Sequence, residues 1–293
     1  YVLLRDGRPV PPAIFEGHYY MPVRLGDNLE ARISCWNIDA FVVTQNVRIW
    51  QGGTDASGLA TPPKYTVVTV TTRYARRLQA VLRSVAHQEG IDLRQIEVIV
   101  AYVPGLDSAE DLLDSIQIAY PGLRLIRVPF TMDHAYSKGF MINEAAKMGS
   151  GEWTMLLDSD ILIPPRMFAH LEEATASGDV FFAPDGRKML SRETTHRILL
   201  GDIAPWREWD ALLTDAGEYR YREAKAVPIG FCQIVKTSCL QEFPYNEFHH
   251  FEGADMWFGE QMIAKYGKER RLSGVPVLHL DHGGSQWYGA SKH

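Results

Sequence analysis

Gly151-Glu152-Trp153-Thr154-Met155-Leu156-Leu157-Asp158-Ser159-Asp160 is the stretch on which the reading of the fold turns. Trp153 to Leu157 is a short, almost unbroken apolar run, as expected of a strand buried on both faces. Two carboxylates follow it directly. In an extended segment Asp158 and Asp160 project to the same side. So placed, they can hold a hard divalent cation, and Mg²⁺ or Mn²⁺ with diphosphate oxygens is the natural occupant. The alternative is a polar strand exit in which Asp158 caps the next turn. The position right after an apolar strand favours the cation.

Upstream, the pattern is regular from Lys64. Tyr65-Thr66-Val67-Val68-Thr69-Val70 is β-branched and apolar, a buried strand. Leu78, Val81, Leu82 and Val85 fall at i, i+3, i+4 and i+7, one face of a helix. Ile96 to Ala101 reads as a second strand, and Ser108 with Asp111 as the capped start of a second helix. Leu123 to Val128 reads as a third strand, and Ser137 to Met148 as a third helix closing at Gly149. Strands alternating with helices imply βαβ units and a largely parallel sheet. In such sheets ligands bind beyond the carboxyl ends of the strands. Thr71-Thr72-Arg73, Ala101-Tyr102 and Asp158-Ser159-Asp160 all fall there, at one crevice.

Residues 1 to about 60 read differently. Tyr1-Val2-Leu3-Leu4, Phe41-Val42-Val43 and Val47-Arg48-Ile49-Trp50 alternate with Pro and Gly, which predicts a small strand-and-loop appendage. Gln51 to Pro63 is rich in Gly, Thr, Ser and Pro and reads as a linker.

The chain has 293 residues, 46% hydrophobic and 23% charged. That is long enough to bury a sizeable core. A net charge of -6 argues against a nucleic-acid binder, which needs a basic footprint. Cys35, Cys232 and Cys239 form neither a CxxC pair nor an even disulfide framework, so a reducing compartment is the simplest expectation. No run of about 18 apolar residues predicts a membrane span. The expectation is a cytoplasmic protein, with peripheral membrane association left open. Tyr1 stands where an initiator methionine would, which leaves room for a removed leader or anchor.

Other residues can carry chemistry. Asp255, in Phe251-Glu252-Gly253-Ala254-Asp255-Met256-Trp257-Phe258, opens a helix expected to end at Gly267. It is either a dipole partner or a general base whose pKa an apolar, aromatic setting raises. In Val277-Leu278-His279-Leu280-Asp281-His282-Gly283-Gly284, a regular strand would put His279 and His282 on opposite sides. The two imidazoles could not then both reach one metal, though a short strand followed by a turn at Gly283-Gly284 could bring either one to it. Lys138, at a helix start, can meet a phosphate or solvent, and Arg73 and Arg76 face the same choice. Trp206, Trp209, Tyr219 and Tyr221 can form a sugar-stacking wall or pack in the core.

The order of these pieces resembles the GT-A glycosyltransferases, particularly family 2, over roughly residues 64 to 282. Gly151-Glu152-Trp153…Leu157-Asp158-Ser159-Asp160 is close to that family's Gly-Glu-Tyr…Leu-Asp-Ser-Asp signature. Residues 137–146 resemble the helix before the metal-site strand. Ile229-Gly230-Phe231 and Gln241-Glu242-Phe243 resemble the acceptor-side strand and turn. Gly253-Ala254-Asp255 stands where a Glu-Asp motif carries the base, and His279 to His282 resembles the C-terminal histidine motif. The resemblance implies an α/β, Rossmann-like GT-A domain over 61–293, with a mixed, mainly parallel sheet and helices on both faces. Its nucleotide-sugar half would be 61–170 and its acceptor half 171–293. Thr71, Arg73, Tyr102, Lys138, Asp158 and Gly230 would lie at the donor, expected to be UDP-linked. Asp158 and Asp160, with His279 or His282, would hold Mn²⁺ or Mg²⁺. Asp255 would deprotonate the hydroxyl of a glycan, glycolipid or other acceptor, with inversion.

Two departures stand out. The second strand ends in Ala101-Tyr102-Val103-Pro104 where the family has an acidic residue that reads the base, so Tyr102 is the candidate to stack there instead. The Glu of the Glu-Asp motif is Ala254. The rival readings are a sugar-nucleotide pyrophosphorylase, a metal-dependent hydrolase and a non-catalytic sugar-binding module. Against the first, Thr71-Thr72-Arg73-Tyr74-Ala75-Arg76 lacks the glycines of a phosphate loop.

Overall fold

The computed structural model describes residues 62–221, 227–228, 230–249 and 253–282 in full, and five short strands before residue 33 by their backbone. The chain falls into two compact units, Tyr1–Thr61 and Pro62–His293. In the first, Val2–Arg5 is the centre of a three-stranded antiparallel sheet with Arg8–Val10 and Leu29–Arg32. Ala13–Phe15 and His18–Tyr20 form a separate hairpin. The expected strands at residues 41–43 and 47–50 lie outside the described residues, as does the linker up to residue 61.

The second unit is built on seven strands. β1 (Tyr65–Thr71), β2 (Ile96–Tyr102) and β3 (Arg124–Pro129) alternate with α1 (Ala75–Ala86) and α2 (Ala109–Ala119). α3 (Lys138–Ala146) then leads into β4 (Trp153–Leu157). After a two-residue strand, β5 (Ile161–Leu162), come α4 (Met167–Thr175), β6 (Phe181–Pro184) and β7 (Gly186–Met189). α5 (Arg192–Leu200), α6 (Trp209–Leu213), β8 (Tyr219–Tyr221), β9 (Cys232–Lys236) and α7 (Thr237–Glu242) follow. The described chain closes with α8 (Ala254–Tyr266), β10 (Arg270–Leu272) and β11 (Val277–His279).

The main sheet runs β10-β6-β9-β4-β1-β2-β3. Every neighbouring pair is parallel except the two made by β9. All residues of β1, β2 and β4 are buried, which is why they read as near-continuous apolar runs. Alternate residues feed two cores. Tyr65 and Val67 pack with Leu78, Val81, Leu82 and Val85 of α1 on one face. Val68 and Val70 pack with Met141, Ile142 and Ala145 of α3 on the other. This is the mixed, mainly parallel sheet with helices on both faces that the sequence predicts.

The chain leaves β1 toward β2 and β3, then returns by α3 to β4 on the other side of β1. The strand order therefore reverses between β1 and β4, and a crevice opens beyond their carboxyl ends. Close packing fixes β4 there. A Cβ on Gly151 would lie 2.7 Å from the Thr66 backbone nitrogen, so only glycine lets the strand start this close to β1. Thr66 Oγ1 and the fully buried Glu97 both accept the Gly151 N–H.

A second sheet, β5-β11-β7-β8, stands beside the first. It joins β4's exit to the end of the described chain, because β5 pairs antiparallel with β11 and Ile161 faces His279.

Three local expectations differ. Ser108 does precede α2, but in the left-handed region with φ 55° and no side-chain cap; Glu110 accepts the Gly105 N–H instead. α3 stops at Ala146 in a short turn. Gln241-Glu242-Phe243 is the end of α7 rather than a turn after a strand, because the strand β9 already ends at Lys236.

Candidate functional site

The crevice beyond β1 and β4 collects charged side chains from five elements. Asp158 and Asp160 do not lie on an extended segment as the spacing argument supposes. The chain turns, with the Ile161 N–H donating to the Asp158 carbonyl at 3.2 Å. The turn sends the two carboxylates to different partners. Asp158 Oδ1 accepts from Lys138 Nζ at 2.5 Å, and Asp160 Oδ2 lies 3.5 Å from His282 Nε2.

Burial and the nearby Asp160 push the Asp158 carboxyl up to about 6, with Lys138 pulling the other way. Burial disfavours the Lys138 charge, but Asp158, Asp255 and Asp160 outweigh it and hold the ammonium above its ordinary value. Lys138 is therefore a fixed cation at the amino end of α3, close to three acids.

Asp160, His279 and His282 each offer one ligand atom, and these atoms all lie within 4.8 Å of one another. Asp158 is not among them. A regular strand would separate the two histidines, but β11 ends at His279. The chain then bends, and the imidazole centroids come to 5.0 Å. Backbone hydrogen bonds hold the bend. The Leu280 N–H donates to Asp160 O at 2.9 Å and the Leu190 N–H to His279 O at 2.9 Å. Arg77 donates twice to the Asp281 carbonyl, at 3.0 and 2.6 Å. The Asp281 N–H donates to Thr195 Oγ1 at 2.8 Å. Arg77 and Thr195, which sequence reasoning did not single out, thus clamp the segment between α1 and α5.

His279 suits a metal. Burial holds its pKa below the ordinary imidazole value, so the ring is neutral at pH 7. Its Nδ1 lies 2.9 Å from Leu280 O. An N–H there leaves the Nε2 lone pair free, the arrangement a ligating histidine needs. Two imidazoles and a carboxylate make a mixed nitrogen and oxygen donor set that fits a divalent transition ion.

Asp255 comes from the first turn of α8, after Gly253 in the left-handed region with φ 76°. Its Oδ2 accepts the Gly230 N–H at 2.5 Å. A Cβ on Gly230 would stand 2.6 Å from the Asp255 Cβ, so glycine is what allows this contact. Gln233 Nε2 donates to the Asp255 carbonyl at 3.2 Å, and the buried Tyr245 hydroxyl donates to Gln233 Oε1. Asn143 of α3 is bonded in both directions to the Tyr245 backbone, each at 2.9 Å. One buried chain of hydrogen bonds therefore links α3, which carries Lys138, to the start of α8. Because β9 runs antiparallel to β4, Gly230 and Phe231 enter beside Asp158, whose N–H donates to Phe231 O at 3.2 Å.

The remaining candidates divide. Thr71 is buried at the end of β1, and its hydroxyl has no partner among the described residues. Arg73 is exposed beside it, with φ 67° and its guanidinium 5.7 Å from the Tyr136 ring centre. Arg76 is exposed. Tyr102 is 1% exposed and packed in the core on the α1 face, so its ring is not presented for a base to stack on. The four aromatics do not form one wall. Trp206 stacks on His87 at 4.0 Å and Trp209 is buried, while the Tyr219 and Tyr221 rings on β8 meet tilted, with centroids 4.1 Å apart. Trp206 and Trp209 line a cavity of about 610 Å³ beside Pro164 and Pro276. That is the end of β11 away from His279, so this cavity is not the crevice. Cys232 and Cys239 are buried free thiols. Among the described residues no helix is long and apolar enough to cross a membrane.

Solved structures share this architecture. The mannosyltransferase PcManGT from Pyrobaculum calidifontis, in complex with GDP-Man and Mn²⁺, matches with a TM-score of 0.53 and 17% identity, over 75% of this chain and 57% of that one. TarS 1–349 from S. aureus, in complex with UDP-GlcNAc, matches with a TM-score of 0.57 and 15% identity, over 78% of this chain and 61% of that one. The chain thus spans less than two thirds of either protein, and at these identities the likeness is one of fold, the GT-A fold. No curated protein matches the chain. The model of the family described as Glycosyltransferase like family 2 matches residues 62–262, more than half of the chain and all the strands from β1 to β9, and on that ground the chain belongs to this family.

Proposed function

We propose that the protein transfers a sugar from a nucleotide-sugar donor to an acceptor hydroxyl, with a divalent metal ion and with inversion at the anomeric carbon. The observation that carries this is the juxtaposition of Asp160, His279 and His282 with the Lys138–Asp158 pair, at the point where the strand order reverses. The neighbours solved with GDP-Man and with UDP-GlcNAc support a nucleotide-sugar donor for this chain.

Asp160, His279 and His282 would hold the metal. Two imidazoles favour Mn²⁺ over Mg²⁺, which prefers an all-oxygen shell. When bound, such an ion supplies Lewis-acid stabilisation of the diphosphate as its charge develops. Lys138 adds a fixed positive charge near the same place and keeps Asp158 oriented. Asp158 then serves the donor as a hydrogen-bond acceptor, not as a first ligand of the metal. Residues 61–170 would supply the donor half and 171–293 the acceptor half.

On the acceptor side Asp255 takes the proton. Its carboxylate is aimed by the Gly230 N–H and its backbone by Gln233. The acceptor oxygen attacks the anomeric carbon as its proton passes to Asp255. The bond from that carbon to the diphosphate oxygen breaks on the opposite face, and its electron pair leaves with the diphosphate. Attack from the far face gives inversion.

The test is a panel of UDP- and GDP-sugars, each with and without Mn²⁺, read by thermal shift and by nucleotide release. Stabilisation by one donor only when Mn²⁺ is present, with nucleotide release rising when hydroxyl acceptors are added, is the expected result. Release of pyrophosphate or of free sugar without any acceptor effect would transfer the assignment to a pyrophosphorylase or a hydrolase.

A further inference from the structure

Arg187 of β7 has no part in the reaction drawn above, yet it faces the same crevice. In the parallel pair of β7 with β11, Arg187 stands opposite Val277 and Met189 opposite His279. Residues two apart on a strand share a side, so Arg187 projects from the face that carries His279. Its guanidinium lies 5.1 Å from the centre of the Phe231 ring. Phe231 adjoins Gly230, which holds Asp255.

The charge on Arg187 is exposed to conflicting forces. Burial works against it, Asp158, Asp160 and Asp255 support it from across the crevice, and Arg220 opposes it. Even so, its guanidinium forms no ion pair with those carboxylates among the described residues. The Phe231 ring is a cation–π partner of the guanidinium, whose N–H groups make no hydrogen bond among the described residues.

Arg220 makes the case stronger. It is the Cα partner of Arg187 across β7 and β8. Like charges directly opposite each other in an antiparallel pair destabilise the sheet. One edge of Arg220 is taken by Glu218, at 2.8 Å. Two arginines at directly paired positions, one of them without an ion pair and lying over an aromatic ring, can form a site for an oxyanion. A forked donor binds phosphate or carboxylate in two-point fashion.

We propose that Arg187, with Arg220 beside it, binds an anionic group, phosphate or carboxylate, carried by the acceptor. The acceptor is favoured over the donor because the diphosphate already has the metal set and Lys138, while Phe231, under Arg187, adjoins Gly230 and through it Asp255. This proposal rests on the transferase reading above for the identity of the acceptor side, but the presence of an anion site can be measured without it.

Inorganic phosphate is titrated into the metal-free protein, with chloride as the ionic-strength control. UDP and GDP are titrated separately with Mn²⁺. The wild type is expected to bind phosphate saturably. Arg187→Gln should weaken phosphate at least tenfold and Arg187→Lys by less, while nucleotide affinity stays within twofold and phosphate does not compete with UDP. Thermal melts establish that both variants are folded, and Arg187→Lys carries the test if Arg187→Gln is not. No phosphate binding by the wild type, or equal binding by Arg187→Gln, overturns the proposal. So does a tenfold loss of UDP or GDP affinity in Arg187→Gln, which would assign the arginine to the donor. Absence of nucleotide binding in the wild type would instead strike at the transferase reading, leaving the phosphate result to decide the anion site alone.

Discussion

Residues 64–157 and residues 158–282 line the same crevice but are built differently. The first stretch makes long strands, seven residues each in β1 and β2, buried on both faces and locked in parallel register. It gives the crevice few charged groups, and these project from element ends, as Lys138 does. The second stretch uses strands of two to five residues. It supplies Asp160, Arg187, Asp255, His279 and His282, held by a few polar contacts such as Arg77 to Asp281 O and the Gly230 N–H to Asp255. Stability is shared between the stretches, while the charged chemistry is concentrated in the second. Both stretches feed the apolar cores, but the first supplies the long parallel strands, and the second adds most of the charged groups and holds them through a handful of hydrogen bonds.

The contrast can be broken from either side. The largest effect is expected from Asp255→Asn. It should lower kcat by roughly 10²- to 10⁴-fold, the range for loss of a general base, with the unfolding midpoint and nucleotide affinity nearly unchanged. An equal loss of stability would show that Asp255 is structural as well. Next comes Leu82→Ala in α1, where the side chain is fully buried against β1. It should cost about 2–5 kcal/mol of unfolding free energy by denaturant titration, with kcat per folded molecule preserved. A large drop in kcat without loss of stability would contradict the division.

A smaller and graded effect is expected from pH. A protonated imidazole cannot ligate a metal, and burial holds the His279 pKa below its ordinary value. Metal affinity should therefore be full at pH 7, where the ring is neutral, and be lost as pH falls through the acid range. Calorimetric titration of Mn²⁺ at several pH values reads this directly. His279→Ala should flatten the dependence as well as weaken binding, whereas an unchanged slope would remove His279 from the ligand set.

How much of this was legible in the sequence follows the same division. Tyr65 to Val70, the α1 face and Trp153 to Leu157 are long enough for β-branched runs and helical spacing to identify them. The acidic pair after β4 announces itself by position. The second stretch is harder because two- and three-residue strands carry no period. Arg187 resembles any strand arginine until the register sets it opposite Arg220 and on the His279 face. Gln233 and Tyr245 have no motif, and their link to Asp255 exists only in three dimensions. Regular-strand geometry also misled at two places. It put Asp158 and Asp160 on one side, where a turn separates them, and it split His279 from His282, where the end of β11 brings them together. Tyr102 at a strand end looked available, but its ring points into the core. In each case a turn or the packing environment, which neighbouring residues in sequence do not specify, decided the outcome.

On the proposed reading, Asp160, His279 and His282 hold a metal through which a nucleotide diphosphate binds. Calorimetric titration of UDP and GDP into the wild type and Asp160→Ala, each with and without Mn²⁺, tests it most directly. One nucleotide should bind the wild type tightly only with Mn²⁺. Asp160→Ala, still folded by circular dichroism, should lose roughly 100-fold or more of that affinity, because loss of an outer-shell partner alone costs roughly 10- to 100-fold at a metal site. Nucleotide binding that is equally tight without metal, or unchanged in Asp160→Ala, would contradict it.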